Sequence, residues 1–467
     1  PPPPPLFQAE DGIRDVAGCL VGSEMCIRDR AWTEVEGNKV NIIDTPGVDD
    51  FRGDVYASLR VVEGVLFTIK ADGGFEVAAE NLWNHVRTTA LPTFIVVNRM
   101  SKEHADWRAV LNELKDRVPG TAPMQLPIGS GEKFEGIVDL IGMKAYVFEG
   151  DRTQETDIPA DLADAVEEAR EMLIDAAASA DDDLTEKYLE EMTLSEEDMI
   201  AGLKKGTLEG TVYPVYFTDA VREIGVRGLL KKVVSLLPSS ESRTRSELTG
   251  VKPGTEDETT VTPSADGPVV ACAFKRQFEA QGGDVTWIRV FGGAMKSGDT
   301  LKCGDGRSSE RMGQLNVVVG KNKEKVDVAQ PGDIVLAAKL KSTQTGTTLT
   351  TNGDFAFGPI PYPVPTSADA ISPETSGEED KMAAGLNKIR EEDPTFELIH
   401  QPHLAQTLLA TQGEIHTTFI LDKLKKQTGV VVERRRPRIN FKETIRGTTE
   451  KQGRHKKQTG GRGQFGD

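Results

Sequence analysis

The sequence predicts a multidomain α/β protein: a parallel-sheet domain with an insertion, then a small β-barrel, then a split α+β domain and the start of a further α+β domain. Three observations carry this. Short apolar runs alternate with helical stretches from Val40 to Val118 and resume over 212–237, and alternating strand and helix implies a parallel sheet wound in right-handed crossovers. From Val269 to about Thr351, β-branched runs recur between glycine-bearing turns, the spacing of a small barrel. Beyond Pro359 helices and strands alternate again, which suits a split β-α-β plan. At 467 residues the chain exceeds what one core organises.

Composition limits the function. Hydrophobic residues at 37% and charged residues at 28% fit a globular chain. No apolar run is long enough to span a membrane. A net charge of −18 argues against a protein that simply coats nucleic acid. The four cysteines lie far apart without a C-x-x-C pair, which implies a reducing, cytoplasmic setting. His400 and His403, spaced i, i+3 around a proline, lack the Cys or acid partners of a metal site. Cys272 and Cys303 read as small core residues of the barrel.

Residues 1–30 stand apart. Five prolines precede a stretch holding Cys19 and Cys26 without periodicity or turn logic, and its Asp, Glu and Arg residues exclude a secretory h-region. The stretch resembles translated sequencing-adapter read-through, so the native chain is expected to begin upstream of Ala31 and to be cut there.

Val40–Ile43 reads as a strand buried on both faces that ends in Asp44-Thr45-Pro46-Gly47. An acid at the carboxyl end of such a strand sits where α/β sheets bind ligands. Gly47 lets a backbone N–H approach a phosphate, and Asp44 offers hard oxygen to Mg²⁺. A helix follows over 55–62, a strand over 65–69, a helix over 76–88 and a strand over 93–97. That last strand ends in Asn98-Arg99-Met100-Ser101. The helix over 103–118 has an apolar face of Trp107, Val110, Leu111 and Leu114.

The insertion, about 120–210, begins with short strands and continues as two acidic helices. Between Asp161 and Asp198, 15 acidic residues face 2 basic ones. Such a face is either solvated or a docking surface for a basic partner. The sheet resumes at 212–217 and a helix over 225–237 closes a domain spanning 31–240. Residues 241–266, rich in Ser, Thr, Glu, Pro and Gly, read as a linker. The barrel is placed at 267–352 and the split α+β domain at 359–436. From Arg434 to Asp467, 11 basic residues face 3 acidic ones, and Gly460-Gly461-Arg462-Gly463 lies among them. Basic side chains beside bare glycine backbone suit RNA phosphates. The chain stops in mid-pattern at Asp467, so 437–467 is expected to open a further domain.

Taken in order, these residues resemble the translational GTPases, most closely the elongation factor G-like group. Asp44-Thr45-Pro46-Gly47 resembles the turn that meets Mg²⁺ and the γ-phosphate. Asn98-Arg99-Met100-Ser101 sits at the N-K-x-D position and Thr218-Asp219-Ala220 at the final guanine-contact loop. Lys296–Leu301, Gly413-Glu414-Ile415-His416 and Gln458–Gly466 resemble the barrel, the third and the fourth domains. The resemblance implies a P-loop-type GTPase domain, here without its first strand and phosphate loop, a β-barrel domain and a ferredoxin-like domain. It implies GTP/GDP and Mg²⁺ as cofactors, Asp44 serving the metal, and a monomer working on the cytoplasmic ribosome. The acidic insertion would face the ribosomal stalk protein and the basic end would face ribosomal RNA. Translocation, recycling, a tetracycline-resistance-type protection role and a degenerate non-hydrolysing ribosome-binding relative all stay open.

Several positions depart from that pattern. No G-x-x-x-x-G-K-[ST] occurs in the sequence, so phosphate binding by these residues alone is expected to be poor. Val48 stands where the family carries a catalytic histidine, and valine has no polar atom to orient water. Ser101 replaces the carboxylate that pairs with guanine, and a hydroxyl cannot accept that bidentate pair. Asp219 stands where the family has serine. Either Asp219 supplies the carboxylate and Ser101 the hydroxyl, or guanine preference has drifted away.

Overall fold

The computed structural model describes residues 30–150, 152–240, 248–279, 283–319, 322–444, 446–457 and 464–466. The expected artefact at 1–30 therefore lies outside the described residues except for Arg30.

Two strands open the described chain, β1 (Arg30–Val35) and β2 (Asn38–Ile43), paired antiparallel from Arg30↔Ile43 to Val35↔Asn38. Glu36 and Gly37 both adopt left-handed φ, 49° and 78°, as a two-residue hairpin turn with the right twist requires. The expectation that Val40–Ile43 is buried on both faces is not met: these residues are half-buried, and among the described residues β2 pairs with β1 alone. The apolar run does find cover, but against the barrel. Ile43 packs against the buried cluster that contains Phe274, Phe291 and Phe355, Asn41 Nδ2 donates to the Gly332 carbonyl at 3.2 Å, and Lys39 pairs with Asp333 at 2.8 Å.

Next come α1 (Arg52–Leu59), β3 (Val65–Lys70), α2 (Val77–Thr88), β4 (Thr93–Asn98), α3 (Trp107–Arg117) and β5 (Thr121–Pro123). Asp106 sets the start of α3 by accepting from the backbone N–H groups of Arg108 and Ala109, both at 3.1 Å. The insertion begins with a four-stranded antiparallel sheet, β6 (Gln125–Ile128), β7 (Gly136–Asp139), β8 (Lys144–Glu149) and β9 (Arg152–Thr156), and continues as α4 (Ala163–Ala178), α5 (Asp182–Glu191) and α6 (Glu196–Glu209). Three acidic helices thus replace the two expected. Asp181 caps α5 and Ser195 caps α6, and Met192, in left-handed φ, ends α5. Gly202 lets α6 close on α4, because a Cβ there would collide with the Ala177 carbonyl.

β10 (Tyr213–Phe217) then enters the main sheet, whose order is β3-β4-β10-β5, all parallel. α7 (Val226–Leu236) follows. The centre of the sheet is dry: Phe94, Ile95, Val97, Val215 and Phe217 are fully buried, while β3, at the edge, exposes alternate residues.

Within the stretch expected as linker, Leu248–Val251 and Glu258–Val261 pair as a hairpin. The barrel holds an eight-stranded antiparallel sheet that includes Val270–Glu279, Gly283–Gly292, Ile334–Ala338 and Thr348–Thr350. Period 2 gives the long strand two jobs. Ala271 and Ala273 line the barrel core with Cys303, and Cys272 and Phe274 face the cluster that receives Ile43 and Val61. Burial pushes the Cys272 thiol up to about 12, so it behaves as a small apolar residue.

The third unit is an antiparallel sheet ordered Glu397–Gln401, Gln406–Thr411, Ser367–Pro373, Val432–Arg435, with helices Glu379–Glu392 and Glu414–Thr428. Its sequence order, β-α-β-β-α-β, is ferredoxin-like. No helix among the described residues is long and apolar enough to cross a membrane.

Candidate functional site

β4 and β10 are neighbours in parallel register, Val97 opposite Phe217. Their carboxyl-end loops therefore leave the sheet side by side, where parallel sheets bind ligands. The Thr218 N–H donates to the Val97 carbonyl at 2.8 Å and the Met100 N–H to the Thr218 carbonyl at 3.3 Å. Asn98 ties the two loops together. Its Oδ1 accepts from the Arg99 N–H at 2.8 Å, the Ala220 N–H at 3.0 Å and the Thr218 hydroxyl at 3.4 Å. That fixes the amide with its oxygen inward, and among the described residues nothing accepts from its Nδ2. Arg99 takes a left-handed φ of 66°, which is uncommon for a residue with a side chain and lets Met100 bury completely while Arg99 stays exposed.

Asp219 is 1% exposed. Its Oδ2 accepts from the Ser101 N–H at 2.8 Å and its Oδ1 from the Arg222 N–H at 3.0 Å. Burial pushes this carboxyl up, but hydrogen bonds from the Ser101 hydroxyl and from the Ser101, Arg222 and Val221 N–H groups outweigh it and hold the group below its ordinary range. Both oxygens thus serve the loops, and Ser101 comes into the cradle half-buried. Asp219 and Ile224 exchange two backbone hydrogen bonds at 3.0 Å, closing the 219–224 loop.

The insertion supplies a third wall that spacing did not reveal. The Gly131 N–H donates to the Met100 carbonyl at 2.9 Å, and the Arg222 guanidinium donates to the Phe134 carbonyl at 2.9 Å. Asn98, Arg99, Ser101, Thr218, Asp219 and Ala220 are therefore brought together as one braced cradle. Its oxygen-inward amide and outward Nδ2 fit the acceptor edge of a purine base.

Asp44, Thr45, Pro46 and Gly47 leave a different sheet, the β1–β2 hairpin. Asp44 and Gly47 are exposed, while Thr45 and Pro46 are half-buried. Among the described residues no group of three or more His, Cys, Asp or Glu side chains could hold a metal. A single exposed carboxylate at Asp44 fits Mg²⁺ only where phosphate oxygens complete the shell. His400 bonds the Thr407 hydroxyl at 3.1 Å.

The chain after this turn does something the sequence did not announce. Asp50 Oδ2 accepts from the His416 N–H at 3.0 Å, and Phe51 meets the rings of His416 and Phe419 edge-on at 5.7 and 5.6 Å. Asp54 pairs with Lys275 of the barrel at 2.9 Å, both nearly buried. The segment 50–54 is thus wedged between the barrel and the third unit.

The basic end is less uniform than its composition. Arg434 forms a fork to Glu414, both contacts at 2.6 Å, and reaches Asp369 at 2.7 Å. Arg435 pairs with Glu433 at 2.6 Å. The loop Gly460–Gly463 lies outside the described residues. On the acidic insertion, α5 buries none of its residues, and Leu189 and Met192 are exposed.

Three family models match the chain in order. The one described as elongation factor Tu GTP binding domain matches residues 25–239, elongation factor G domain 2 matches 268–352, and elongation factor G domain III matches 361–436. The first match starts inside the stretch expected to be foreign. The crystal structure of a protein from Thermus thermophilus is similar over 94% of this chain at 29% identity, with a TM-score of 0.79. The chain spans 63% of the length of that protein.

Proposed function

Because this chain belongs to the elongation factor G-like translational GTPases, we propose that it binds a guanine nucleotide and acts on the ribosome during elongation or recycling. The observation that carries this is the cradle joining Asn98 to the 218–220 loop, with the Asn98 Nδ2 left to donate to a base. Asn98, Arg99, Ser101, Thr218, Asp219 and Ala220 would hold the base side. Thr45, Pro46 and Gly47 would meet the γ-phosphate, and Asp44 would hold Mg²⁺, which neutralises phosphate charge when bound. The reading extends to a monomer working on cytoplasmic ribosomes, as the resemblance implies. The acidic α4–α6 face suits the basic surface of a stalk protein, and the cationic stretch beyond Arg436 suits ribosomal RNA.

A second reading has its own observation. Val48, directly after the Asp44–Gly47 turn, is 40% exposed and apolar, so it offers nothing to orient a hydrolytic water. A ribosome-binding relative that holds nucleotide without turning it over fits that residue. Calorimetric GDP binding by the full-length protein, followed by phosphate release with and without ribosomes, tests both. Binding with ribosome-stimulated turnover supports the GTPase. Binding without turnover supports the second reading, and absence of GDP binding overturns the proposal.

A further inference from the structure

We propose that the base cradle reads the N7/O6 edge and N1–H of a 6-oxopurine and leaves the 2-amino group unread, so that guanine, hypoxanthine and xanthine nucleotides bind alike. This rests on the nucleotide-binding reading and narrows it.

Guanine offers two acceptors, N7 and O6, and two neighbouring donors, N1–H and the 2-amino group. A site that distinguishes it from hypoxanthine needs an acceptor for the 2-amino group, and a carboxylate meets both donors at once. The cradle holds one carboxylate, Asp219. It is 1% exposed, and its oxygens accept from the Ser101 N–H at 2.8 Å and the Arg222 N–H at 3.0 Å. Turning it toward a base would strip those donors inside a buried loop, which costs more than a new surface bond returns.

The cradle's remaining functional groups are few. Asn98 Nδ2 is a donor, and its orientation is fixed by the three bonds to Oδ1. Ser101 is tied to Asp219 through its backbone N–H at 2.8 Å, and its hydroxyl oxygen offers a neutral acceptor, not the bidentate pair of a carboxylate. One donor and one acceptor match O6 or N7 and N1–H, features common to guanine, hypoxanthine and xanthine. They mismatch adenine at N1, which carries no proton, and at the 6-amino group, which stands where O6 would accept; only N7 is shared. Ser101 is thus the residue that sets specificity, and Asp219 is a positioning residue that holds the two loops together.

The test is calorimetric titration of the full-length protein with GDP, IDP, XDP and ADP, then of the exchange Ser101→Asp with Asp219→Ser. The expected result is affinities for GDP, IDP and XDP within about threefold of one another and at least about tenfold weaker binding of ADP. The exchange should raise preference for GDP over IDP at least about tenfold and disfavour XDP. Wild-type preference for GDP over IDP beyond about threefold overturns the inference. If Asp219→Ala abolishes that preference, Asp219 reads the base instead. Should the exchanged protein fail to fold, the wild-type series alone still decides. If none of the four nucleotides binds, the nucleotide-binding reading falls and the inference with it.

Discussion

The Asp50 carboxylate caps a helix in another part of the molecule: its Oδ2 accepts from the His416 N–H at 3.0 Å. The helix Glu414–Thr428 starts after Gly413, which has no side chain to satisfy the first N–H groups. An anion at a helix N-terminus is also favoured by the helix dipole. Gly413 is needed at this spot for space, since a Cβ there would lie 2.5 Å from both Asp50 oxygens. Asp50→Ala and Gly413→Ala should each destabilise the protein by about 1–2 kcal/mol. Because both act on one contact, the double variant should lose less than the sum. Denaturant midpoints for the four proteins measure this, and full additivity would show that the two residues act independently.

Next to that cap lies a buried histidine–aspartate pair. His416 is fully buried, its Nδ1 accepts from the Gln412 N–H at 3.2 Å, and its Nε2 is 2.9 Å from Asp393 Oδ2. With Nδ1 accepting, Nε2 carries the proton and donates to the carboxylate. Burial pushes the Asp393 carboxyl up, but the His416 hydrogen bond, the Lys275 charge and the Thr395 hydroxyl together hold it well below the usual range. A carboxyl depressed on folding contributes stability that is fully present above its unfolded pKa, about 3.9, and is lost as pH falls toward the folded value. Asp393→Asn should therefore cost about 1–3 kcal/mol at pH 7 and progressively less below pH ~4. Urea midpoints of both proteins at pH 7 and pH 3 give the comparison, and a gap that widens at pH 3 would reverse the sign.

How far the sequence revealed this depends on the range of the interaction. Asn98–Ser101 and Thr218–Ala220 were legible through their resemblance to a family's base-contact loops, and the parallel pairing of their strands then brings the two loops together. Residues 40–43 were legible as a strand, but an apolar pattern records that a residue is covered without saying by what. The strand Gln406–Thr411 went unread because its hairpin turns at Ala405, in left-handed φ of 46°, with no glycine or asparagine as a signal. The split of the acidic helices was present in Asp181 and Ser195, both good caps. The Asp50 cap was not legible, since its partner is 366 residues away.

On the proposed RNA contact of the basic end, Arg434 belongs to the structure and not to the contact. It is held by Glu414 and Asp369, and the hydrogen bonds raise its already high pKa further, so it is charged at every working pH. Lys442 and Lys451 are exposed. Arg434→Ala should lower stability by about 1–2 kcal/mol and leave the salt dependence of ribosomal RNA binding as it was. Lys442→Ala with Lys451→Ala should leave stability unchanged and reduce the slope of log affinity against log salt by about 1 for each phosphate no longer neutralised. Melting curves and filter binding at several salt concentrations measure both, and a slope change confined to Arg434→Ala would place the RNA contact on the wrong residues.

On the proposed nucleotide-binding reading, Val48 is the position at which turnover would be gained or lost. It follows Gly47 at the start of the segment that runs through Asp50 and Phe51 into the third unit, and it is 40% exposed, so a larger polar side chain has room there. Val48→His supplies a nitrogen that can orient water or move a proton. Positioned groups of this kind contribute about 10²–10⁴ in rate. If the site is otherwise competent, ribosome-stimulated phosphate release should rise by at least about 10², while the affinity for GDP, set by the Asn98–Ser101 side, should stay within about twofold. Multiple-turnover phosphate release beside calorimetric GDP binding reads both quantities. A rise in turnover at constant affinity assigns the missing step to residue 48. Equal, slow turnover in both proteins would place the defect elsewhere in the site and favour the non-hydrolysing ribosome-binding relative.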